Sequence, residues 1–247
     1  VITVDGSLDR YVEAGNETTK ELLEGNGTAV TALRALHEFF SENLWRETEG
    51  DRPIPLTLSL SGFTLFLAGV RMALSGHALA VHPLLRTALE SACYGFLTAG
   101  DESLEPIWTN RHESSEARRE CRRAFQAAVP QVAKALNDLQ PNSGDLINDA
   151  YEAAIDFGAH PNPRSIFPHV RAGDEDDYYV VRLITLYSVD QFEAKRSFLA
   201  AVEYGIAIAI VGIRTKATST QELADKLNEI IDLRDRLEAE IRTIAAE

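Results

Sequence analysis

Arg86 and Glu90 stand four residues apart, a spacing that puts an arginine and a glutamate on one face of a helix and lets them pair directly. Their setting makes the pair conspicuous. From Ile54 to Thr98 the only full charges are Arg71, Arg86 and Glu90, although charged residues make up 25% of the chain. A segment so short of charge belongs in a core, where an ion has to be paired or put to use. A buried pair would fix helix register, and removing one partner would cost about 3 to 5 kcal/mol. A pair beside a cleft would instead bind a ligand or assist a reaction.

A second set of polar residues follows. Glu152, Asp156 and His160 fall at i, i+4 and i+8, one stripe of a helix, and the run continues through Pro161, Asn162, Pro163 and Arg164. Adjacent members could share a metal or a proton. One helix cannot supply all three ligands, since eight residues rise about 12 Å and a metal contacts donors only about 2 Å away. Help would have to come from His82 or Glu90, and nothing in the spacing demands it, so no metal and no cofactor is expected. The simpler role for His160 is to end a helix, where its imidazole can cap free carbonyls. The candidate catalytic residues are therefore Arg86, Glu90 and His160; the candidate ligand-binding residues are His82, Asp156, Asn162 and Arg164. As an enzyme, the set would use His160 as acid or base and Arg86 to stabilise developing phosphate charge, with Glu90 orienting Arg86.

Other chemistries find less support. Arg118, Arg119, Arg122 and Arg123 could meet phosphates, but Glu116 and Glu120 precede Arg119 and Arg123 by three residues, the pattern of a salt-laced solvated helix. The acidic run Asp174 to Asp177 lacks the alternating ligands and distal glutamate of a calcium loop. No nucleophile elbow, phosphate-cradling glycine loop or Cys-x-x-Cys pair is present. Cys93 lies three residues past Glu90, yet its apolar surroundings raise a thiol's pKa and argue against a nucleophile.

The stretch His82-Pro-Leu-Leu-Arg86-Thr-Ala-Leu-Glu90, with His160-Pro-Asn-Pro seventy residues on, resembles uncharacterised bacterial all-helical proteins related to the HEPN superfamily. The resemblance covers about residues 60 to 170. It implies an antiparallel helical bundle that often dimerises and sometimes acts as a metal-independent ribonuclease in toxin or phage-defence systems. The nuclease signature of that superfamily is an arginine and a histidine separated by four to six residues. Arg71 with His77 and Arg164 with His169 match it loosely, though Arg71 precedes Gly76 at a helix end and Arg164 sits among prolines.

The elements that must position these residues are read from apolar spacing. Helices are expected from Leu8 to an end near Gly25 to Gly27 and from Val30 to an end before Gly50, then over about 56 to 75 and 83 to 98, with Pro53 and Pro55 in a stiff turn, Gly76 as a stop and Pro83 in a first helical turn. A short helix at Leu104 to Asn110 precedes a polar one from Ser114 to Leu139 that Pro130 must kink or restart. Another helix runs from Leu146 to Phe157, and Phe167 to Leu186 favours a small β-hairpin. The helical period returns from Asp190 to Thr215. Thr220 would cap a last helix whose Leu223, Leu227, Ile230, Leu237, Ile241 and Ile244 make a heptad-like seam, with Arg234 in one seam position. The fold class is all-α, an antiparallel bundle with a hairpin near 167-186, in a single domain over 1-247.

Composition narrows the partners. Thirty-eight acidic against twenty-four basic residues give a net charge of −14, which repels polyanions and leaves RNA a partner only under the ribonuclease reading. No helix-turn-helix with a basic recognition helix is present. Residues 54 to 70 are uncharged but diluted by Ser59, Ser61, Gly62 and Thr64 and stopped by Arg71, so buried helices, not membrane spans, are expected. The two cysteines, Cys93 and Cys121, suit a reduced, cytoplasmic setting. The chain opens on Val1, which leaves room for a trimmed segment, and shows no basic region followed by an apolar run. The leading expectation is a non-enzymatic protein that forms homo-oligomers through the last helix or an apolar face of the bundle.

Overall fold

Apolar side chains recurring every three or four residues force most of this chain into helices, and burying their stripes against one another assembles the bundle. The architecture is known from a computed structural model that describes residues 7–159, 161–175, 178–216 and 221–245. The candidate His160, the expected cap Thr220 and part of the acidic run Asp174 to Asp177 lie outside the described residues.

Helix α1 (Leu8–Gly25) begins at Ser7, whose hydroxyl accepts from the Arg10 amide, and stops where Asn26 turns left-handed. Helix α2 (Thr28–Glu38) runs on into a widened π turn, Phe39–Leu44. Helices α3 (Pro53–Leu74) and α4 (Ala78–Gly100) form the central hairpin. They are antiparallel and close. A Cβ at Gly62 would lie 2.9 Å from the Ala88 carbonyl, and one at Gly69 2.7 Å from Leu85. The turn between them depends on Gly76, at φ +79°, where a side chain would also strike the Tyr187 carbonyl at 2.4 Å.

Both prolines expected to mark the hairpin's limits are used differently. Pro53 is the first residue of α3, where a missing amide costs nothing, so the stiff turn expected there is helix instead. Helix α4 starts five residues before Pro83 and carries it internally. Pro83 and Leu79 are both exposed, so the carbonyl that Pro83 leaves without a donor has water beside it.

A similar shift occurs further on. Short α5 (Leu104–Thr109) is followed by α6 (Ser115–Ala124) and α7 (Ala128–Leu139), and the break between the last two falls at left-handed Ala127, not at Pro130. Pro130 sits in the first turn of α7, whose amides have no partner within the helix. Helix α8 (Asp145–Ala154) passes into a second π turn, Ile155–Ala159, kinked at Gly158. After α9 (Pro163–Ile166) and a 3₁₀ turn at Phe167–His169 come the antiparallel strands β1 (Val170–Glu175) and β2 (Tyr178–Leu183), paired Val170 with Leu183. The hairpin is thus shorter than the expected span.

Helix α10 (Phe192–Thr215) threads the centre: fourteen of its residues are buried, Ala201, Val202 and Ile206 completely. Its C-terminal end is latched by Lys216, whose ammonium lies 3.1 Å from Asp51, with both side chains under 9% exposed. Helix α11 (Gln221–Ala245) lays its seam on α10 and α2, so Leu227, Ile230, Leu237 and Ile241 are buried within the chain and are not left for another copy. One contiguous apolar cluster joins α2, α3, α4, α7, α8, α10 and α11.

Candidate functional site

The charge-poor hairpin delivers its ions to the rim of the core and not to its centre. Arg86 Nε donates to Glu90 Oε1 at 2.9 Å, and the two side chains are 20% and 36% exposed. The pair is therefore partly solvated, contrary to the expectation of deep burial. Arg86 Nη2 also donates to the Tyr151 hydroxyl at 3.1 Å, and its guanidinium lies 5.1 Å from the centre of that ring. The grouping ties α4 to α8. Cys93, inward of it on α4, is fully buried, and desolvation, helped by the nearby Glu90 charge, pushes its thiol pKa well up, as expected of an inert cysteine.

The second constellation divides. Asn162 is a cap: its side chain accepts from the Ser165 amide, the Ser165 hydroxyl accepts from the Asn162 amide, and Asn162 Nδ2 donates to the Ile155 carbonyl. Asp156 pairs with Arg164 at the surface. Arg164 and His82 line a cleft beside α10, and Asp156 and Asn162 are not part of its lining.

His82 is where two clefts meet. The broad one, about 950 Å³ and open to solvent, lies between α4, α8, α10 and α11; its apolar wall includes Leu146, Ala153, Phe157 and Leu199, and its polar groups are His82, Asp149, Arg196, Glu203, Tyr204 and Arg234. The narrow one, about 310 Å³, shares His82, Phe157 and Arg196 and adds Arg164, His169 and Glu193. The shared residues are held by packing. Gly158 approaches so closely that a Cβ there would lie 2.8 Å from His82 Cβ, and the kink it allows sets the Phe157 ring 6.0 Å from the imidazole. Arg196 stacks over Phe157 at 4.7 Å and reaches Glu193 through Nη1 at 3.2 Å.

Burial shifts the titrations here in opposite directions. Desolvation, reinforced by the positive fields of Arg196 and His169, lowers the His82 pKa to about 4, so its imidazole is neutral at pH 7; its Nδ1 is buried without a hydrogen-bond partner. Desolvation likewise lowers His169, against the pull of Glu193; His169 Nδ1 shares a hydrogen bond of 2.6 Å with the Tyr187 hydroxyl. Glu203 is raised, chiefly by desolvation and against the opposing charge of Arg234. Tyr204 is raised by desolvation too, with its hydroxyl donated to the Ala150 carbonyl. An apolar wall with a few convergent polar groups of displaced pKa is the usual makeup of a small-molecule site.

Sequence reasoning singled out His82 and Arg164, with His169 as partner of Arg164 in a loose nuclease pair, and missed Arg196, Glu203 and Arg234 as cleft residues. A signal for two of them exists: Arg196 and Glu203 are seven apart, on one stripe of a helix that has no charge from Tyr204 to Ile213. Among the described residues no group of three His, Cys, Asp or Glu side chains is arranged to hold a metal ion. Comparison with protein-family models, with characterised proteins and with solved structures finds no significant match. The HEPN resemblance rests on its short motifs alone.

Proposed function

We propose that this chain is a non-enzymatic, ligand-binding helical bundle whose broad cleft takes a small molecule with an apolar body and an acidic head group. The observation that carries the reading is the broad cleft itself, where the Arg196 guanidinium meets an apolar wall beside the neutral imidazole of His82. Arg196 engages Glu193 through Nη1, and its planar fork has further donors suited to an oxyanion. Leu146, Ala153, Phe157 and Leu199 supply the apolar contact.

8-Anilinonaphthalene-1-sulfonate has this chemistry, and the uncharged N-phenyl-1-naphthylamine has the body without the head. The expected result is saturable 1:1 fluorescence enhancement with the sulfonate. Arg196→Gln weakens it about tenfold, in line with a charged hydrogen bond of about 1.5 kcal/mol, and leaves the uncharged probe unaffected. Ala153→Trp, which fills the cleft, abolishes both. Sulfonate binding that persists unchanged in the folded Ala153→Trp protein would overturn the reading.

One observation favours a second reading, a metal-independent ribonuclease. Arg164 and His169, one of the two pairs with the nuclease spacing, both line the narrow cleft beside His82 and Arg196. Arg86 and Glu90 line neither cleft, so His169 would take the acid–base role and Arg164 and Arg196 the phosphate. Cleavage of a single-stranded RNA in chelator, lost in His169→Ala, would establish this reading; intact RNA after prolonged incubation leaves the binding protein.

A further inference from the structure

We propose that the ligand of the broad cleft is dipolar, an apolar body with an acidic group at one end, held by Arg196, and an amine at the other, held by Glu203. The inference rests on the binding reading above and adds the second end. Arg196, Leu199, Ala200 and Glu203 follow one another at i, i+3, i+4 and i+7 and all line the cleft, so a cation, an apolar step and an anion stand in order along one stripe of α10. Seven residues rise about 10.5 Å, and helical side chains all lean toward the N-terminus, so the two charges keep roughly that separation.

The Glu203 end lacks a cation. Its carboxyl is half-buried and has no hydrogen-bond or ion-pair partner among the described residues; desolvation raises its pKa against the attraction of Arg234, and Glu238 and Asp149 raise it further. Arg234 does not fill the gap, because its own helix already holds it: Nε lies 3.1 Å from Asp235 and Nη1 3.5 Å from Glu238. A bound ammonium would supply the missing counter-charge and relieve the repulsion from Asp149, which lines the cleft with Glu203. The Arg196 end is the reverse, a guanidinium stacked on Phe157 that keeps donors beyond the Nη1 given to Glu193. A simple acid would set a methyl end against the carboxyls, and a simple amine would leave Arg196 unmet. A ligand with both groups satisfies both ends.

Isothermal titration calorimetry with 8-aminooctanoate, octanoate and octylamine is the test; the charged ends of the first lie about 10 Å apart when the chain is extended. The expected result is that 8-aminooctanoate binds about tenfold tighter than either of the others. Glu203→Gln removes its advantage over octanoate and leaves octanoate and 8-anilinonaphthalene-1-sulfonate bound as before. Asp149→Asn, at an exposed position, reduces the same advantage in part. Octanoate binding as tightly as 8-aminooctanoate, while the sulfonate still binds, overturns the dipolar ligand and leaves the acid-binding cleft standing. An advantage that survives in the folded Glu203→Gln protein does the same. Failure of the sulfonate and of all three ligands to bind overturns both readings.

Discussion

Helices α3 and α10 are nearly the same length and equally apolar, each long and apolar enough by composition to cross a membrane, yet the bundle treats them differently. In α10, 67% of the most apolar window is buried inside the chain; in α3 the figure is 33%. The difference lies in what surrounds them. Helix α10 is enclosed by α2, α3, α4, α8 and α11, while α3 packs on α4 and α10, meets α1 at its C-terminal end through Arg71, and leaves Thr57, Leu60, Ser61 and Thr64 exposed. Hydropathy therefore tells that a helix seeks cover, and only the neighbours tell whether the chain itself provides it.

The sharpest way to break this contrast is to put the same charge in both helices. Ala207→Glu, at a position of zero exposure in α10, should cost more than about 4 kcal/mol and leave little folded protein, measured by urea denaturation. Leu60→Glu with Thr64→Glu, at exposed positions of α3, should leave unfolding almost unchanged. Equal losses would mean that α3 is as enclosed as α10.

Next in size comes the latch that closes one end of α10. Lys216→Ala removes the ammonium from beside Asp51 in a site where both side chains are nearly buried, and should lower stability by about 3 kcal/mol. A loss below 1 kcal/mol would show the end of α10 to be open to water. The cleft beside α10 supplies a pH test. His82 has a folded pKa of about 4, below its ordinary 6.5, so the unfolded chain takes up the proton first; stability is full above pH 6.5 and falls as pH drops toward 4. The loss approaches about 3 kcal/mol. His169 shifts the same way, so the His82 share is the difference between the pH profiles of the parent and His82→Gln. Coincident profiles would place His82 in water. The smallest effect belongs to the rim pair: Glu90→Gln should cost only about 1 kcal/mol, because solvent screens both partners.

The sequence was legible where one residue type has one physical use. Charge depletion located the central hairpin, Gly76 marked its turn, and the aromatic and β-branched stretch from Tyr178 marked the β-hairpin. Proline was misread because a missing amide is tolerated in more than one place: Pro53 and Pro130 occupy first turns, and Pro83 lies inside α4. The site was legible only in part. Spacing predicts the Arg86–Glu90 contact, since it is local, but not Tyr151, sixty-five residues away. The cleft is assembled from α4, α8, α10 and α11, so nothing short of the fold brings Arg196 to Phe157 and His82.

The close approach at Gly158 gives the cleft an adjustable part. A Cβ there would lie 2.8 Å from His82 Cβ, so Gly158→Ala would push the segment off α4 and carry Phe157 away from Arg196 and His82. The shape of the cavity thus hangs on the absence of one methyl group, and adding it is enough to re-aim the aromatic wall without altering any side chain that lines it.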